Sequence, residues 1–306
     1  MNYIKSCLNY TGGKYKLLSQ IMPLIPNECR TFIDMFCGGC NVGINIKAEH
    51  IIFNDKLEVL IGLYETLLEL DEDYIFNKIE EIIKKYNLSD TYNKGYVIYD
   101  CDSSQGLSRV NKEAYQQLRL DYNMSKPIVK EQIMEKNLML YTLSVYGFNN
   151  QIRFNKEGNY NIPVGKRDFN QKVREKLKVF IRAIKEKNIS FINLDFKELD
   201  LEWLNENDFV YADPPYRITT ASYNENNGWG LQDDLDLFEY LDKLDKKGIR
   251  FAMSNVIEHN GSKNNELIEW AKNYKIHYLN FNYNNSNYQS KAKKRVTKEV
   301  LITNYY

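Results

Sequence analysis

Residues 31–43 read TFIDMFCGGCNVG, an apolar run of strand type that leads into a glycine-rich turn and, by expectation, a helix. Glycines in such a turn permit the backbone to approach a ligand closely. The spacing differs from the GxGxxG fingerprint of dinucleotide sites. Asp55 follows the next predicted strand, about 20 residues on, where a carboxylate can accept hydrogen bonds from ribose hydroxyls. Together the two features predict a site for a nucleoside cofactor that has no phosphate to be cradled.

The same alternation continues along the chain. Short β-branched or aromatic runs bounded by turns predict strands at residues 31–35, 51–54, 189–194, 209–212, 249–254, 276–281 and 300–303. Helical periodicity predicts helices at 14–24, 56–70, 171–187, 231–247 and 264–274. This order is typical of a doubly wound α/β fold, with helices on both faces of a mostly parallel sheet.

One long interval, residues 64–187, breaks the alternation. It contains helix-like stretches at 73–86, 112–122 and 129–145, separated by polar loops at 87–111 and 147–170. We therefore expect an inserted, mainly helical subdomain at 64–187, between a first sheet-forming part at 1–63 and a second at 188–306.

Size and composition set the broad class. The 306 residues allow one large α/β domain with an insert, and the chain is 43% hydrophobic and 27% charged. No apolar run approaches the roughly 20 residues of a membrane span. The N-terminus has no secretory signal pattern, and five cysteines are too few for a disulfide framework. These features predict a cytoplasmic, reduced protein without a membrane segment.

Charge is balanced overall but uneven locally. Residues 151–187 hold eleven Lys or Arg and four Asp or Glu, a net charge of +7. A second basic run comprises Lys291, Lys293, Lys294, Arg295 and Lys298. Charge runs are commonly solvated helix faces. Here both runs lie beside Asn-, Gly- and Tyr-rich stretches, which also suits phosphate contacts and base stacking.

The tetrapeptide Asp213-Pro214-Pro215-Tyr216 directly follows the predicted strand 209–212. Open α/β sheets bind ligands at the carboxyl ends of their strands. Two prolines restrict the backbone and remove two N–H donors, which leaves neighbouring carbonyls as acceptors. A planar amine such as adenine N6 suits a carboxylate and a carbonyl acceptor, with Tyr216 stacked on the base. An ordinary Asp-Pro turn is the alternative.

In combination these motifs resemble the Dam-type family of DNA adenine-N6 methyltransferases over nearly the whole chain. The resemblance implies a Rossmann-like class I methyltransferase fold, S-adenosylmethionine as cofactor, and Asp213, Pro214, Pro215 and Tyr216 as the catalytic tetrapeptide. The matching cofactor positions are Tyr10, Gly12, Gly13, Lys14, Asp34, Phe36, Gly38, Gly39, Asp55, Asp195, Phe196 and Asp213. Residues 251–255 and 299–304 resemble a strand that shapes the base pocket and the closing strand.

The resemblance extends to the insert, which it implies is a target-recognition region for double-stranded DNA. By position, the implied DNA contacts are Phe148, Asn149, Arg153, Asn155, Pro163, Lys166, Lys293, Lys294 and Arg295. Arg153 suits a bidentate contact to guanine, and Phe148 a wedge into the base stack. The loop departs from the family at Asn150, where glycine is common, and at Gln151, Ile152 and Val164. Several relatives methylate GATC, which is the expected target.

Further expectations concern cofactors and partners. We expect no metal, because Cys37-x-x-Cys40 has no second ligand pair at zinc spacing. We expect a monomer that acts alone or opposite a restriction endonuclease of the same site. A methyltransferase for RNA adenine, cytosine N4 or a protein amide, and a catalytically silent DNA-binding relative, are the alternatives. An oxidoreductase is disfavoured because GxGxxG is absent.

Overall fold

The computed structural model describes residues 3–200, 202–219, 228–280 and 297–306. The chain divides into two compact units. The sheet unit comprises Lys14–Lys56 and Asn188–Tyr306, and the helical unit comprises Met1–Gly13 and Leu57–Lys187. The helical unit thus takes in the predicted insert together with the N-terminal segment and the start of the first long helix.

The sheet unit is built on one mixed sheet. Its strands are β1 (Cys29–Asp34), β2 (Ala48–Asn54), β3 (Ile189–Ile192), β4 (Phe209–Ala212), β5 (Arg250–His259), β6 (Ser262–Lys263), β7 (Lys275–Leu279) and β8 (Thr297–Thr303). The order is β3-β2-β1-β4-β5-β8-β7, with β6 paired to β5. Strands β3, β2, β1, β4 and β5 are parallel, and β8 runs antiparallel to β5 and β7. All seven predicted strands are present, and the α/β fold is confirmed.

The strand order places a topological switch point between β1 and β4. The chain proceeds outward from β1 through β2 to β3, then returns to β4 on the other side of β1. Crevices at such points, outside the carboxyl ends of the strands, are the usual ligand sites of open α/β sheets. Asp34 ends β1 and Asp213 directly follows β4, so both predicted acids lie at this crevice.

Alternation along the strands builds the core of the sheet unit. Val210 pairs in register with Ile33 and Phe251, and these side chains belong to one buried apolar cluster. The helices α8 (Leu231–Lys246) and α9 (Asn265–Trp270) pack on β5 and add Leu237, Leu241 and Leu267 to that cluster. Burial of this face holds the carboxyl ends of the strands rigidly.

The helical unit is organised around one central helix. Its helices are α2 (Glu58–Glu69), α3 (Glu72–Lys85), α4 (Thr91–Lys94), α5 (Ser108–Met124), α6 (Lys130–Tyr146) and α7 (Gln171–Lys185). Helix α6 packs on α2, α3 and α5. Asn137 on α6 donates hydrogen bonds to the Gly62 carbonyl (2.9 Å) and Thr66 Oγ1 (3.0 Å) on α2. A Cβ at Gly62 would lie 3.3 Å from that amide, so the glycine permits the close approach.

Three local predictions were wrong. The glycine-rich turn leads into a 3-10 helix of three residues, Gly43–Asn45, because β2 begins at Ala48 and leaves no room for a full helix. Residues 14–24 form two 3-10 segments around the short α1 (Leu18–Ile21), with Pro23 in the second. The predicted loop 87–111 contains α4 and a 3-10 turn, Val97–Tyr99.

None of the helices in the described part of the chain has the length and apolarity that a membrane span requires.

Candidate active site

The predicted catalytic tetrapeptide occupies the loop that leaves the fully buried strand β4. The next residue, Arg217, holds the tetrapeptide in place by donating hydrogen bonds to Asp234 Oδ2 (2.8 Å) and Asn264 Oδ1 (2.7 Å). Asp234 on α8 is 1% exposed and also accepts from the Trp229 indole at 2.7 Å. The residue after the tetrapeptide is therefore anchored to the base of α8, which sequence reasoning did not predict.

Four polar side chains meet at the carboxyl end of β4. Lys14 Nζ lies 2.8 Å from Asp213 Oδ1 and 3.6 Å from Glu299 Oε1. The Tyr216 hydroxyl lies 2.9 Å from the same Asp213 oxygen and 3.2 Å from Glu299 Oε1. Lys14 and Glu299 are 4% and 3% exposed. Lys14 and Tyr216 thus meet at the same oxygen of Asp213.

Burial and charge set the protonation of this group of four. Burial alone would lower the pKa of Lys14, but Asp213 and Glu299 outweigh it and raise that pKa. Burial raises the pKa of Asp213, against the opposing effect of Lys14 and Tyr216. Burial, reinforced by the two carboxylates, also raises the pKa of the Tyr216 phenol. The site thus keeps a charged ammonium, a phenol that donates, and a carboxylate with increased proton affinity.

Asp34 is the second acid at the switch point. It is 2% exposed and accepts a hydrogen bond from the Gly43 amide at 3.2 Å. Burial, together with the nearby carboxylates of Asp213 and Asp55, raises its pKa to about 8 against the opposing effects of the Gly43 hydrogen bond and Lys14. The predicted site residues Asp34, Asp55 and Asp213 are thus close enough to interact electrostatically.

The raised pKa of Asp34 makes a prediction about stability. The ordinary pKa is 3.8 and the folded value about 8, so the folded state holds a proton that the unfolded chain releases between those values. The contribution is full below pH 4 and is lost as pH rises through 8. Asn mimics the protonated acid, so the stability gain of Asp34→Asn over wild type should grow to on the order of 5 kcal/mol at pH 8. Urea unfolding at pH 5, 6.5 and 8 measures it; a gain that does not change with pH contradicts the assignment.

The glycine-rich turn is held by the neighbouring strand. The Gly38 amide donates to Asp55 Oδ2 (3.0 Å), and the Cys37 amide donates to the Asn54 carbonyl (2.8 Å). Cys40 has a φ of 56° and donates its amide to the Cys37 carbonyl at 2.6 Å. Among the described residues no group of three or more His, Cys, Asp or Glu side chains is arranged to hold a metal ion. These hydrogen bonds connect the glycine-rich turn to Asp55 and to the end of β2.

Three aromatic rings pack against one another next to this turn. The rings of Phe36, Phe196 and Trp229 lie pairwise at 5.5 Å between centroids. Asp195 precedes Phe196 and caps a short 3-10 helix by accepting from the Lys197 amide at 3.1 Å. The predicted cofactor residues Phe36 and Phe196 are therefore in contact, and Trp229 is an aromatic member that sequence reasoning missed.

The N-terminal motif spans the boundary between the units. Tyr10, Gly12 and Gly13 belong to the helical unit and Lys14 to the sheet unit. The Gly13 amide donates to the Tyr10 carbonyl at 3.2 Å, and Gly12 has a φ of 78°, so the motif is a tight turn that needs glycine. Gly39 lies between Cys37 and Cys40 in the glycine-rich turn of the sheet unit.

The predicted recognition loop, residues 146–165, lies in the helical unit and is anchored to α5 and α6. Tyr160 exchanges backbone hydrogen bonds with the Asn123 side chain of α5 (2.8 and 3.1 Å). Arg119 of α5 donates to the Ile162 carbonyl at 3.1 Å. Asn150 donates to the Ser144 and Val145 carbonyls at the end of α6. The helices thus fix the loop at both sides.

Individual recognition residues are presented differently. Phe148 is 47% exposed, Pro163 and Lys166 are exposed, and Arg153 Nε donates to Asn161 Oδ1 at 2.9 Å. Asn155 Oδ1 accepts from the amides of residues 157 and 159, so its side chain shapes the loop tip. The predicted DNA contacts Lys293, Lys294 and Arg295 lie outside the described residues.

The departure at Asn150 has a backbone explanation. Asn149 and Asn150 have φ values of 54° and 53°, a left-handed conformation that glycine adopts freely and asparagine tolerates. Asn150 Oδ1 also accepts from Asn9, whose own Oδ1 accepts from Lys176. Sequence reasoning missed both Asn9 and Lys176, which tie the N-terminal segment and α7 to this loop.

The strand order and the acids at its switch point are those of a Rossmann-like methyltransferase fold. A family model described as D12 class N6 adenine-specific DNA methyltransferase matches residues 10–285. The chain belongs to this family.

Individual relatives agree with the family. The chain is 40% identical over 310 residues to the type II methyltransferase M.FokI of Planomicrobium okeanokoites, covering 99% of this chain and 43% of that protein. It is 39% identical over 311 residues to the modification methylase StsI of Streptococcus sanguinis, with coverage of 99% and 43%. The DNA adenine methylase of Escherichia coli K12 is 24% identical over 280 residues, 90% of this chain and 87% of that protein. The chain spans less than half the length of the first two relatives.

Proposed function

We propose that this chain transfers the methyl group of S-adenosylmethionine to N6 of an adenine that is flipped out of double-stranded DNA. The observation that carries the proposal is Asp213 at the carboxyl end of β4, in contact with Lys14 and Tyr216 through Oδ1. The family to which the chain belongs is that of N6 adenine-specific DNA methyltransferases. The target GATC, a cytoplasmic monomer and a restriction endonuclease partner belong to the same proposal, the last supported by the modification methylase among the relatives.

The residues of the sheet unit fit the methyl donor. Asp55, held against Gly38, would accept the ribose hydroxyls, and Phe36 with Phe196 would flank the adenine ring. Even with Asp34 protonated, the acidic side chains of Asp55, Asp213 and Glu299 outnumber the ammonium of Lys14. This excess of acidic groups suits a positively charged donor. When bound, the donor supplies a methyl group already activated on a cationic sulfur.

Asp213 and the Pro214 carbonyl would accept the two hydrogens of the adenine amine. That acceptance localises the nitrogen lone pair, which forms the new N–C bond while the S–C electron pair returns to sulfur. The amine then loses one proton, and Asp213, whose pKa burial raises, is placed to receive it. Tyr216 would stack on the base while Asp213 and Glu299 hold its hydroxyl. Rate acceleration comes from positioning and electrostatic preorganisation.

The recognition loop of the helical unit would read the target. Phe148, half exposed next to two left-handed asparagines, is suited to fill the gap that a flipped base leaves. Arg153 is held through Nε by Asn161, which orients its guanidinium for a bidentate contact with guanine. The net charge of +7 over residues 151–187 supplies phosphate contacts.

Arg153 and Lys156 separate base reading from phosphate binding. Arg153→Ala is expected to reduce discrimination between the target and single-base mismatches by about 1–3 kcal/mol at one position. Lys156→Ala, on the same loop, is expected to weaken binding to all sequences and reduce the salt slope by about one. Binding titrations against a mismatch series at three salt concentrations measure both. Equal losses on all sequences for Arg153→Ala would remove it from base recognition.

The experiment that tests the proposed function is transfer of labelled methyl from S-adenosylmethionine to competing acceptors. Duplex DNA, single-stranded DNA, RNA and a protein mixture are offered together, and label is counted in each fraction. We expect label in duplex DNA, at one short sequence. Label in RNA or protein would replace the acceptor, and donor binding without any transfer would favour a silent DNA-binding relative.

A further inference from the structure

Glu299 is a buried carboxylate in the closing strand. The sequence motifs give it no role. It lies on β8, paired with Val256 of β5 and Leu279 of β7, and is 3% exposed. The register of β5 shifts between Val256 and Glu258, directly beside it. Such irregularities often re-aim a side chain. Here the carboxylate reaches the catalytic group, with Oε1 3.6 Å from Lys14 Nζ and 3.2 Å from the Tyr216 hydroxyl.

Asp213 and Glu299 share the same two partners. Lys14 Nζ lies 2.8 Å from Asp213 and 3.6 Å from Glu299. The Tyr216 hydroxyl is also nearer to Asp213, at 2.9 Å, than to Glu299, at 3.2 Å. The phenol has a single hydrogen, so it donates fully to one carboxylate at a time. If Asp213 accepts hydrogens from a target amine, Glu299 remains as an acceptor for Lys14 and Tyr216.

We propose that Glu299 is a positioning residue that sets the charge of the site: it holds Lys14 and Tyr216 so that the negative charge of Asp213 remains available to the target amine. This inference rests on the proposed function. With both carboxylates ionised and Lys14 protonated, the group of four carries a net charge of −1. Without Glu299 the ammonium neutralises Asp213, and the net charge is zero.

The charge matters because the amine nitrogen passes from neutral to positive as the methyl bond forms. A net negative group preorganised beside that nitrogen stabilises the change, most strongly in a buried site where water does not screen it. Removing Glu299 therefore lowers the rate of the chemical step. It leaves the ground-state binding of a neutral base nearly unchanged.

Protonation of Lys14 gives independent support. Burial lowers the pKa of Lys14, and the two carboxylates together reverse that effect. The other titratable groups that interact electrostatically with Asp213 and Tyr216 in this part of the sheet unit are Asp34 and Tyr211. Without Glu299, the ammonium loses one of the two carboxylates that reverse the effect of burial, so the pKa of Lys14 falls.

The first test compares wild type with Glu299→Gln, which keeps an oxygen to accept from Tyr216. At saturating DNA and donor, single-turnover transfer should be roughly 10- to 100-fold slower. DNA affinity, and the fluorescence of 2-aminopurine placed at the target adenine, should change less than about twofold if Tyr216 stays in place. An unchanged transfer rate, or a loss confined to DNA binding and flipping, overturns the inference.

The second test restores the charge. Lys14→Met with Glu299→Gln again leaves one carboxylate and a net charge of −1, so the double variant should be faster than Glu299→Gln alone at saturating donor. A double variant that is no faster than Glu299→Gln shows that the net charge of the site does not set the rate, and overturns the proposal.

The third test needs neither donor nor DNA. Glu299→Gln should be less stable than wild type at pH 7, and the difference in unfolding temperature should narrow as pH rises toward 10. The reason is that the folded variant releases the Lys14 proton at lower pH than wild type, which offsets the lost ion pair. A constant difference contradicts the coupling. Wild type that methylates no acceptor would refute the proposed function instead, whereas active wild type with unaffected variants refutes this inference alone.

Discussion

Asp213→Asn is expected to lose methyl transfer by roughly 10³-fold or more while the protein stays folded and binds the donor. The amide keeps the shape of the side chain. It cannot accept the proton of the amine, and it no longer pairs by charge with Lys14, 2.8 Å away. Asp200→Asn is the matched control, because Asp200 is an exposed aspartate of the same sheet unit. Single-turnover transfer and calorimetric donor binding measure the two properties separately.

Two results for Asp213→Asn would contradict this prediction. If Asp213→Asn retained transfer within about tenfold of wild type, its carboxylate would not act on the amine. Loss of donor binding equal to the loss of rate would instead make Asp213 a binding residue. Only a loss in the chemical step agrees with the site at the end of β4.

Asp55→Ala is expected to weaken donor binding about 100-fold, which corresponds to about 2.7 kcal/mol. The carboxylate of Asp55 follows β2 and is held by the Gly38 amide at 3.0 Å, and a charged acceptor for two hydroxyls is worth that order of energy. Asp55→Asn keeps one acceptor oxygen, so its affinity for the donor should lie between those of wild type and Asp55→Ala. The matched control is Glu239→Gln, an exposed carboxylate on α8.

Calorimetry with S-adenosylmethionine checks the Asp55 prediction directly. Adenine as a competitor should bind the variant and wild type equally, because Asp55 would contact only the ribose. A loss of affinity for adenine itself would show that the glycine-rich turn had collapsed, and the role in ribose binding would be withdrawn.

The sequence was sufficient for the sheet and for the positions of two acidic residues at its edge. Buried parallel strands are continuous apolar runs, as at 51–54 and 209–212, and such runs are visible without knowing their partners. Asp213 and Asp55 could be placed because each directly follows such a run. Their proximity to Asp34 follows from the parallel arrangement alone.

Other features depended on information that local patterns do not contain. The expected helix after the glycine turn is a 3-10 turn because only two residues separate Asn45 from the start of β2 at Ala48. That start was not apparent from periodicity. Glu299 contacts Tyr216 across 83 positions of sequence, and the shift in β5 that accompanies it is a tertiary feature. An acidic residue directly before the apolar residues 300–302 of the closing strand was the available signal.

The recognition loop shows the same limit. Asn150 is a departure from the family pattern in sequence, yet its left-handed backbone is one that asparagine shares with glycine. The hydrogen bond from Asn9 could not be predicted, because it joins segments 141 residues apart.

The most direct test of the account is the identity of the methylated nucleoside. Duplex DNA that contains all short sequences is incubated with the chain and S-adenosylmethionine, digested to nucleosides and analysed by mass spectrometry, with Asp213→Asn in parallel. The account predicts N6-methyladenine from wild type and at least roughly 10³-fold less from the variant. N4-methylcytosine as the product, or equal N6-methyladenine from both proteins, would contradict it.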